Sequence, residues 1–219
     1  MVAPDTGNVP DAELERLAGA GGPEAVRALR RLLDGNARFA SGAAEHPAQD
    51  AARRREVVAG QHPWAMVLSC SDSRVPVELL FDTGIGDLFG MRVAGNILDD
   101  TVLGSIEYGA EHLHIPLLVV LGHSSCGAVA ATAEAVRAGQ DGDGHIAALV
   151  AGVREAIGGV LPEIPEGASL YPAEVANVHH VAARAVQRSA ILREVAGHGA
   201  LAVVGAYYDL DTGQVSLLG

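Results

Sequence analysis

The residues best suited to chemistry in this chain are two cysteines and one histidine that lie in two short segments. Cys70 opens the segment Cys-Ser-Asp-Ser-Arg, and His123 and Cys126 enclose two serines in His-Ser-Ser-Cys. The 219 residues contain no other cysteine. Two thiolates and an imidazole form a ligand set that zinc prefers, and three protein ligands leave a fourth position for water, as in catalytic sites. These side chains therefore predict a catalytic zinc site.

Each of the two segments directly follows an apolar run typical of a β-strand. The runs span residues 64–68 and 117–121. His123 and Cys126 lie three residues apart, so one loop can direct both toward one ion, whereas Cys70 must arrive from a different strand. Ligands collect beyond the carboxyl ends of the strands in an open parallel sheet. We therefore expect the fold to bring both strand ends to one edge of a sheet.

Two other interpretations of the cysteines remain open. A buried cysteine commonly serves as a small apolar side chain. The pair could also form a disulfide, but the composition does not resemble a small secreted scaffold. The position of both cysteines directly after strands, with a histidine three residues from one of them, favours the metal site.

An acid and a base stand beside the first cysteine. Asp72 and Arg74 follow Cys70 at steps of two residues. An arginine can hold a carboxylate through two parallel hydrogen bonds. A carboxylate held in this way can accept a hydrogen bond from zinc-bound water and orient it. An ordinary surface ion pair is the alternative interpretation.

Composition and charge exclude several classes of protein. The formal net charge is −12 and the isoelectric point is about 5.1, which disfavours a nucleic-acid footprint. No apolar stretch approaches the roughly 18 residues of a membrane span. The N-terminus lacks the basic and apolar regions of a secretory signal. We expect a protein of the reducing cytoplasm that binds neither nucleic acid nor membrane.

Predicted strands alternate with predicted helices along the chain. This pattern indicates an α/β fold with a mainly parallel central sheet, an antiparallel edge strand, flanking helices and an N-terminal helical arm. We expect residues 1–23 to be a flexible tail with room for one short helix, and residues 24–219 to be a single α/β domain. The predicted strands are 64–69, 87–94, 117–121, 201–208 and 215–218. The predicted helices are 24–41, 53–59, 101–113, 127–138, 145–157 and 173–195, with a short helix or turn at 75–81.

Taken together, these segments resemble the β-class carbonic anhydrases, and in particular their open-site, plant-type subgroup. The resemblance is carried by residues 70–74, by Arg-Val-Ala-Gly-Asn at 92–96 and by Gly-His-Ser-Ser-Cys-Gly at 122–127. It extends from the segment 32–39 to the segment 208–213. The two metal segments are highly specific in combination.

The resemblance implies an activity and a set of residue roles. The reaction would be the reversible hydration of carbon dioxide to bicarbonate and a proton through zinc-bound hydroxide, with one Zn²⁺ per chain. Cys70, His123 and Cys126 would bind the zinc. Asp72 and Arg74 would be the catalytic pair.

A substrate pocket and an assembly also follow from the resemblance. Gln61, Phe89, Ala94 and Tyr108 match substrate-pocket positions, and the backbone N–H of Gly127 would lie close to bound substrate. Tyr108 and Gln61 would come from a partner subunit, so the protein would be a homodimer or homotetramer. Phe89 and Tyr108 could equally be plain core residues, and Gln61 only a polar residue before a strand.

Two rival functions remain open at this stage. One is the hydrolysis of carbonyl sulfide or carbon disulfide on the same scaffold. The other is a non-catalytic protein that binds zinc or bicarbonate. Such a protein would have no need of Asp72 and Arg74, so their presence favours an enzyme.

Overall fold

A computed structural model describes residues 9–219, and the first eight residues lie outside the described part. Residues 9–219 contain a five-stranded sheet in the order β2-β1-β3-β4-β5. Its first four strands run parallel, and β5 pairs with β4 in the antiparallel sense. This confirms the predicted fold class. The strands are β1 (Ala65–Ser69), β2 (Leu88–Arg92), β3 (Leu117–His123), β4 (Ala202–Tyr208) and β5 (Val215–Leu218).

Helices cover both faces of this sheet. They are α1 (Asp11–Ala18), α2 (Gly22–Ala40), α3 (Ala51–Glu56), α4 (Val77–Leu80), α5 (Asp100–Glu111), α6 (Gly127–Arg137), α7 (Ile146–Ile157), α8 (Tyr171–Arg188) and α9 (Ala190–Gly197). Short 3₁₀ turns follow α1 and α3 and precede α5 and α8. No helix within residues 9–219 has both the length and the apolar content that crossing a membrane would need.

The alternation of side chains along the central strands divides the core into two layers. On β1, Val67 packs into the layer under α1, α2 and α4, whereas Met66 and Leu68 pack into the layer under α5, α8 and α9. Every residue of β1 and β3 is buried. Burial on both faces explains why these strands read as continuous apolar runs.

A third apolar cluster lies where the strands end, and it contains both cysteines. Cys70 and Cys126 pack there with Val129 of α6 and with Val153 and Ile157 of α7. The helices that follow β3 therefore enclose the carboxyl edge of the sheet. This is the edge of the sheet where the metal ligands were predicted to lie.

The prediction of one continuous helix over residues 173–195 was wrong. The chain breaks at Ser189, which has an extended backbone (φ −105°, ψ 122°) between α8 and α9. The Ser189 hydroxyl accepts a hydrogen bond from the N–H of Leu192 and donates one to Glu107. Ser189 thus begins a new helix as its N-cap, because a short polar side chain satisfies a free N–H of the first turn.

Part of the predicted N-terminal tail is helical and packed. Within it, α1 places Leu14 and Ala18, one helical turn apart, fully inside the core. Apolar residues four apart lie on one helix face, so this short segment can bury both against the sheet. Residues 1–8 of the predicted tail lie outside the described residues.

Truncating Leu14 tests whether α1 belongs to the domain. We expect Leu14→Ala to lower the free energy of unfolding by about 3 kcal/mol, because it deletes a fully buried side chain. Urea denaturation at one protein concentration measures the change. Glu15→Ala, on the exposed side of the same helix, is the control. Equal stability of both variants would mean that α1 does not contribute to the core.

Candidate metal centre

Three buried side chains meet at the carboxyl edge of the sheet. Cys70 follows the last residue of β1, His123 ends β3, and Cys126 is the N-cap residue of α6. Their ligand atoms all lie within 4.8 Å of one another. The strands bring them together because β1 and β3 are parallel neighbours, with Ser69 paired to Leu121. The structure thus brings the three predicted side chains together, and both cysteines are free thiols.

The imidazole of His123 is oriented for binding a metal. Its Nδ1 atom lies 2.9 Å from the carbonyl oxygen of Ser124, which can only accept, so Nδ1 carries the proton. The Nε2 atom is buried and has no hydrogen-bond partner within the described part of the chain. A buried acceptor without a partner is unfavourable unless it binds something. An Nδ1–H donor to a carbonyl with a free Nε2 is the usual state of a ligating histidine.

The two thiols lie close together, with their sulfur atoms within 4.8 Å of each other. The neighbouring Cys126 thiol lowers the pKa of Cys70 below its ordinary value. The same contact, together with burial, raises the pKa of Cys126. A divalent cation between them would favour the thiolate form of both, since a coordinating thiol loses its proton. The donor set therefore fits zinc.

A glycine supports the first thiolate. The backbone N–H of Gly95 donates to the sulfur of Cys70 at 3.3 Å. Gly95 has a φ of +69°, and an added Cβ would stand 2.9 Å from a methyl carbon of Val153. Only glycine adopts this conformation without strain in the space available. The turn that follows β2 is thus shaped to present a donor to the ligand.

Asp72 and Arg74 form the two-point contact that their spacing predicts. Arg74 donates from Nε to Oδ1 at 2.9 Å and from Nη2 to Oδ2 at 2.7 Å, and its backbone N–H also donates to Oδ1. These hydrogen bonds hold the pKa of the Asp72 carboxyl well below its usual range. Asp72 is therefore ionised at neutral pH. Its carboxylate faces Arg74 and is not one of the clustered ligand atoms.

A second arginine ties down the backbone of this segment. Arg92, the last residue of β2, donates from Nη2 to the carbonyl oxygen of Asp72 at 2.7 Å. Its Nε donates to the carbonyl oxygen of Cys70 at 3.3 Å. Its register opposite Ser69, one residue before the cysteine, explains the contact.

The predicted substrate residues do not all lie at this edge within one chain, since Gln61 precedes β1 whereas Cys70 follows it. The rings of Phe89 on β2 and Tyr108 on α5 are 6.3 Å apart, and Tyr108 is 48 % exposed. Gln61 is exposed in the loop before β1, and Ala94 begins the turn that contains Gly95. Gly127 opens α6, where an added Cβ would meet nothing. The exposure of Gln61 and Tyr108 leaves both available to another chain.

Two polar residues of α8 contact this site and were not predicted to do so from the sequence. Glu174 accepts a hydrogen bond from the backbone N–H of Cys126, and Asn177 donates to the carbonyl oxygen of Gly95. The available signal was their position: they lie beside Ala173 and Val178 on the buried side of the helix. Polar residues on an apolar stripe are unusual and mark a site of hydrogen bonding.

The fold and the centre define an α/β protein with a cysteine-histidine metal site at the end of a parallel sheet. A family model described as carbonic anhydrase matches residues 65–215. Carbonic anhydrase 2 of Mycobacterium tuberculosis is 40% identical over 197 residues, which cover 88% of this chain and 92% of that protein. The carbonic anhydrase of Mycolicibacterium smegmatis is 41% identical over the same shares of both chains.

Solved structures give the class within that family. A Coccomyxa β-carbonic anhydrase in complex with acetazolamide superposes with a TM-score of 0.67 and 27% identity, covering 87% of this chain and 86% of that one. A tetrameric β-carbonic anhydrase from Sordaria macrospora has a TM-score of 0.66 and 25% identity, covering 88% and 98%. This chain belongs to the β-class carbonic anhydrase family. The family is zinc dependent.

Removing one thiolate tests the metal centre directly. We expect the wild-type protein to bind one zinc ion per chain and Cys70→Ser to lose most of it, because a hydroxyl does not replace a thiolate as a zinc ligand. Elemental analysis after dialysis against a weak chelator measures the metal content. Ser73→Ala is the control, since Ser73 lies in the same segment but outside the ligand cluster. Equal zinc in all three proteins would refute this ligand set.

Proposed function

We propose that this protein catalyses the reversible hydration of carbon dioxide to bicarbonate and a proton, with one zinc ion per chain bound by Cys70, His123 and Cys126. The observation that carries the proposal is the buried cluster of three ligand atoms within 4.8 Å of one another, beside an ionised Asp72. The 40% identity to a carbonic anhydrase over most of the chain supports the same reaction.

The chain's own residues position the reactants. A bound zinc ion would supply Lewis acidity and lower the pKa of water to about 7. Asp72, held ionised by Arg74, accepts a hydrogen bond from the attacking water and directs its lone pair at the carbon. Arg74 keeps the carboxylate in one orientation through two contacts. The N–H of Gly127, at the start of α6, donates to an oxygen of the bicarbonate formed, where the helix dipole favours an anion.

The experiment that tests this function is stopped-flow hydration of carbon dioxide at pH 8.5. We expect fast turnover by the zinc-loaded protein and none by Cys70→Ser. Asp72→Asn should retain zinc and lose roughly 10²–10⁴-fold in kcat, because the amide has one acceptor oxygen where the carboxylate has two and cannot both pair with Arg74 and orient the water.

A matched control uses another aspartate–arginine pair. Asp141 contacts Arg154 at 2.5 Å on the surface, away from the ligands, and Asp141→Asn should keep full activity. Full activity in Asp72→Asn would remove the role assigned to Asp72. A protein that binds zinc and leaves carbon dioxide unchanged would contradict the proposed reaction, and carbonyl sulfide would then be the substrate to try.

We further propose that the substrate pocket, with Gln61, Phe89, Ala94 and Tyr108, is completed between two chains of a homodimer or homotetramer. Gln61 and Tyr108 are exposed on a single chain, and so are the apolar side chains of Val58, Leu79 and Ile85. Leu79 and Ile85 line one surface groove, and an exposed apolar surface of this kind favours an interface. The tetrameric relatives from Sordaria macrospora support such an assembly.

Mixing two inactive variants tests a shared pocket. Cys70→Ser lacks a metal site but has Tyr108, and Tyr108→Ala has a metal site but lacks the ring. In a mixed dimer, one metal site faces an intact Tyr108, so we expect co-refolded variants to recover part of the wild-type activity. Light scattering confirms that the mixed species is a dimer or tetramer. A mixture no more active than its components would contradict a pocket built from two chains.

A further inference from the structure

Helix α8 carries two buried polar side chains one turn apart. Glu174 is 5 % exposed and Asn177 is 1 % exposed, while their neighbours Ala173, Val178 and Val181 are buried and apolar. Burying a carboxyl and an amide is unfavourable unless both are hydrogen-bonded. Glu174 accepts from the backbone of Cys126, and Asn177 donates to Gly95, the glycine whose N–H faces the sulfur of Cys70.

Glu174 holds the segment of the second cysteine. Its Oε1 accepts the backbone N–H of Cys126 at 3.0 Å, and its Oε2 accepts the hydroxyl of Tyr207 on β4 at 2.6 Å. Tyr207 is itself fixed by an edge-on contact with Tyr171, with ring centroids 5.0 Å apart. Burial and the neighbouring Glu174 raise the pKa of Tyr207, so its hydroxyl keeps the proton that it donates.

The need for Glu174 follows from where Cys126 lies. The N-cap of a helix is usually a residue whose side chain hydrogen-bonds to the first turn, and the third helical residue is often a glutamate that reaches back to the N-cap N–H. In α6 the N-cap is Cys126, which makes no such side-chain bond, and the third residue is Val129. Glu174 supplies the missing carboxylate from another helix and leaves the thiol free for the metal.

Asn177 acts on the first cysteine through the backbone. Its Nδ2 donates to the carbonyl oxygen of Gly95 at 2.8 Å, and the N–H of the same glycine donates to the sulfur of Cys70 at 3.3 Å. Fixing one side of Gly95 therefore fixes the donor that faces the thiolate. One face of α8 thus contacts the supports of both cysteines.

We propose that Glu174 and Asn177 are positioning residues that set the geometry of the two thiolate ligands, with Tyr207 orienting Glu174. This inference rests on the zinc site proposed above. The partners of metal ligands commonly change metal affinity by about 10–100-fold when removed. The two residues therefore control how tightly the centre holds its metal and how its thiolates are directed.

Cobalt substitution tests this role with a readout other than activity. In the Co²⁺-loaded full-length protein, we expect Glu174→Ala to shift the ligand-field and thiolate-to-cobalt charge-transfer bands. It should also release metal to a chelator about 10–100-fold faster than wild type. Glu174→Gln keeps an oxygen that can accept the N–H of Cys126, so its bands should lie close to those of the wild-type protein. Asn177→Ala should also shift the bands, because it removes the hydrogen bond to the carbonyl oxygen of Gly95.

The control is an equally short carboxyl–hydroxyl pair elsewhere. Glu107 accepts the hydroxyl of Ser189 at 2.6 Å, away from the ligands, and Glu107→Ala should leave the bands and the release rate unchanged. Wild-type bands and release rate in both Glu174→Ala and Asn177→Ala would overturn the inference. So would a release rate in Glu107→Ala that rises as much as in Glu174→Ala.

Two further outcomes are decisive. If circular dichroism shows Glu174→Ala to be unfolded, Tyr207→Phe takes its place, because it removes only one partner of Glu174. Tyr207→Phe should shift the bands less than the loss of Glu174 would, and wild-type bands in this variant would overturn the inference. If wild-type protein shows no thiolate-to-cobalt band, the metal site itself fails, which separates that failure from a failure of the positioning role.

Discussion

The parallel pairing of β1 with β3 is the constraint on which the rest of this structure depends. The ligands come from segments far apart in sequence, and only the register of these two strands brings Cys70 next to His123. Parallel pairs have all their carboxyl ends at one edge, so a single strand pairing creates the site. Burial of both strands on both faces then makes this edge rigid, since close-packed cores resist small shifts.

Charge is distributed around the centre in two layers. The buried layer contains the two thiols and the imidazole, and the charge of a divalent cation would balance the two thiolates that form when it binds. The outer layer contains Asp72, whose carboxylate is ionised because Arg74 contacts it at both oxygens. Since the Arg74 side chain is half exposed, solvent reaches the pair. The third apolar cluster, which includes both cysteines, surrounds this layer.

Much of this arrangement was predictable because it depends on local patterns. The apolar runs before Cys70 and before His123 are strands, and the short spacing from His123 to Cys126 fits one loop. The bidentate contact of Asp72 with Arg74 follows from a separation of two residues. The fold class follows from the alternation of strands and helices.

The features that were missed depend on contacts between distant parts of the chain. Glu174 lies 48 residues after Cys126, and no local pattern indicates that its carboxyl meets that backbone N–H. The burial of Leu14 depends on a sheet that forms much later in the chain. The break at Ser189 was visible only as one serine within a helical pattern, where a cap and a helix-interior residue look alike.

The measurement that tests the central claim most directly is X-ray absorption at the zinc edge of the purified, zinc-loaded protein. The structure predicts two sulfur neighbours at about 2.3 Å and one imidazole nitrogen at about 2.0 Å, with a further light atom completing the tetrahedron. A shell of only oxygen and nitrogen, or of one sulfur, would contradict a centre formed by Cys70, His123 and Cys126.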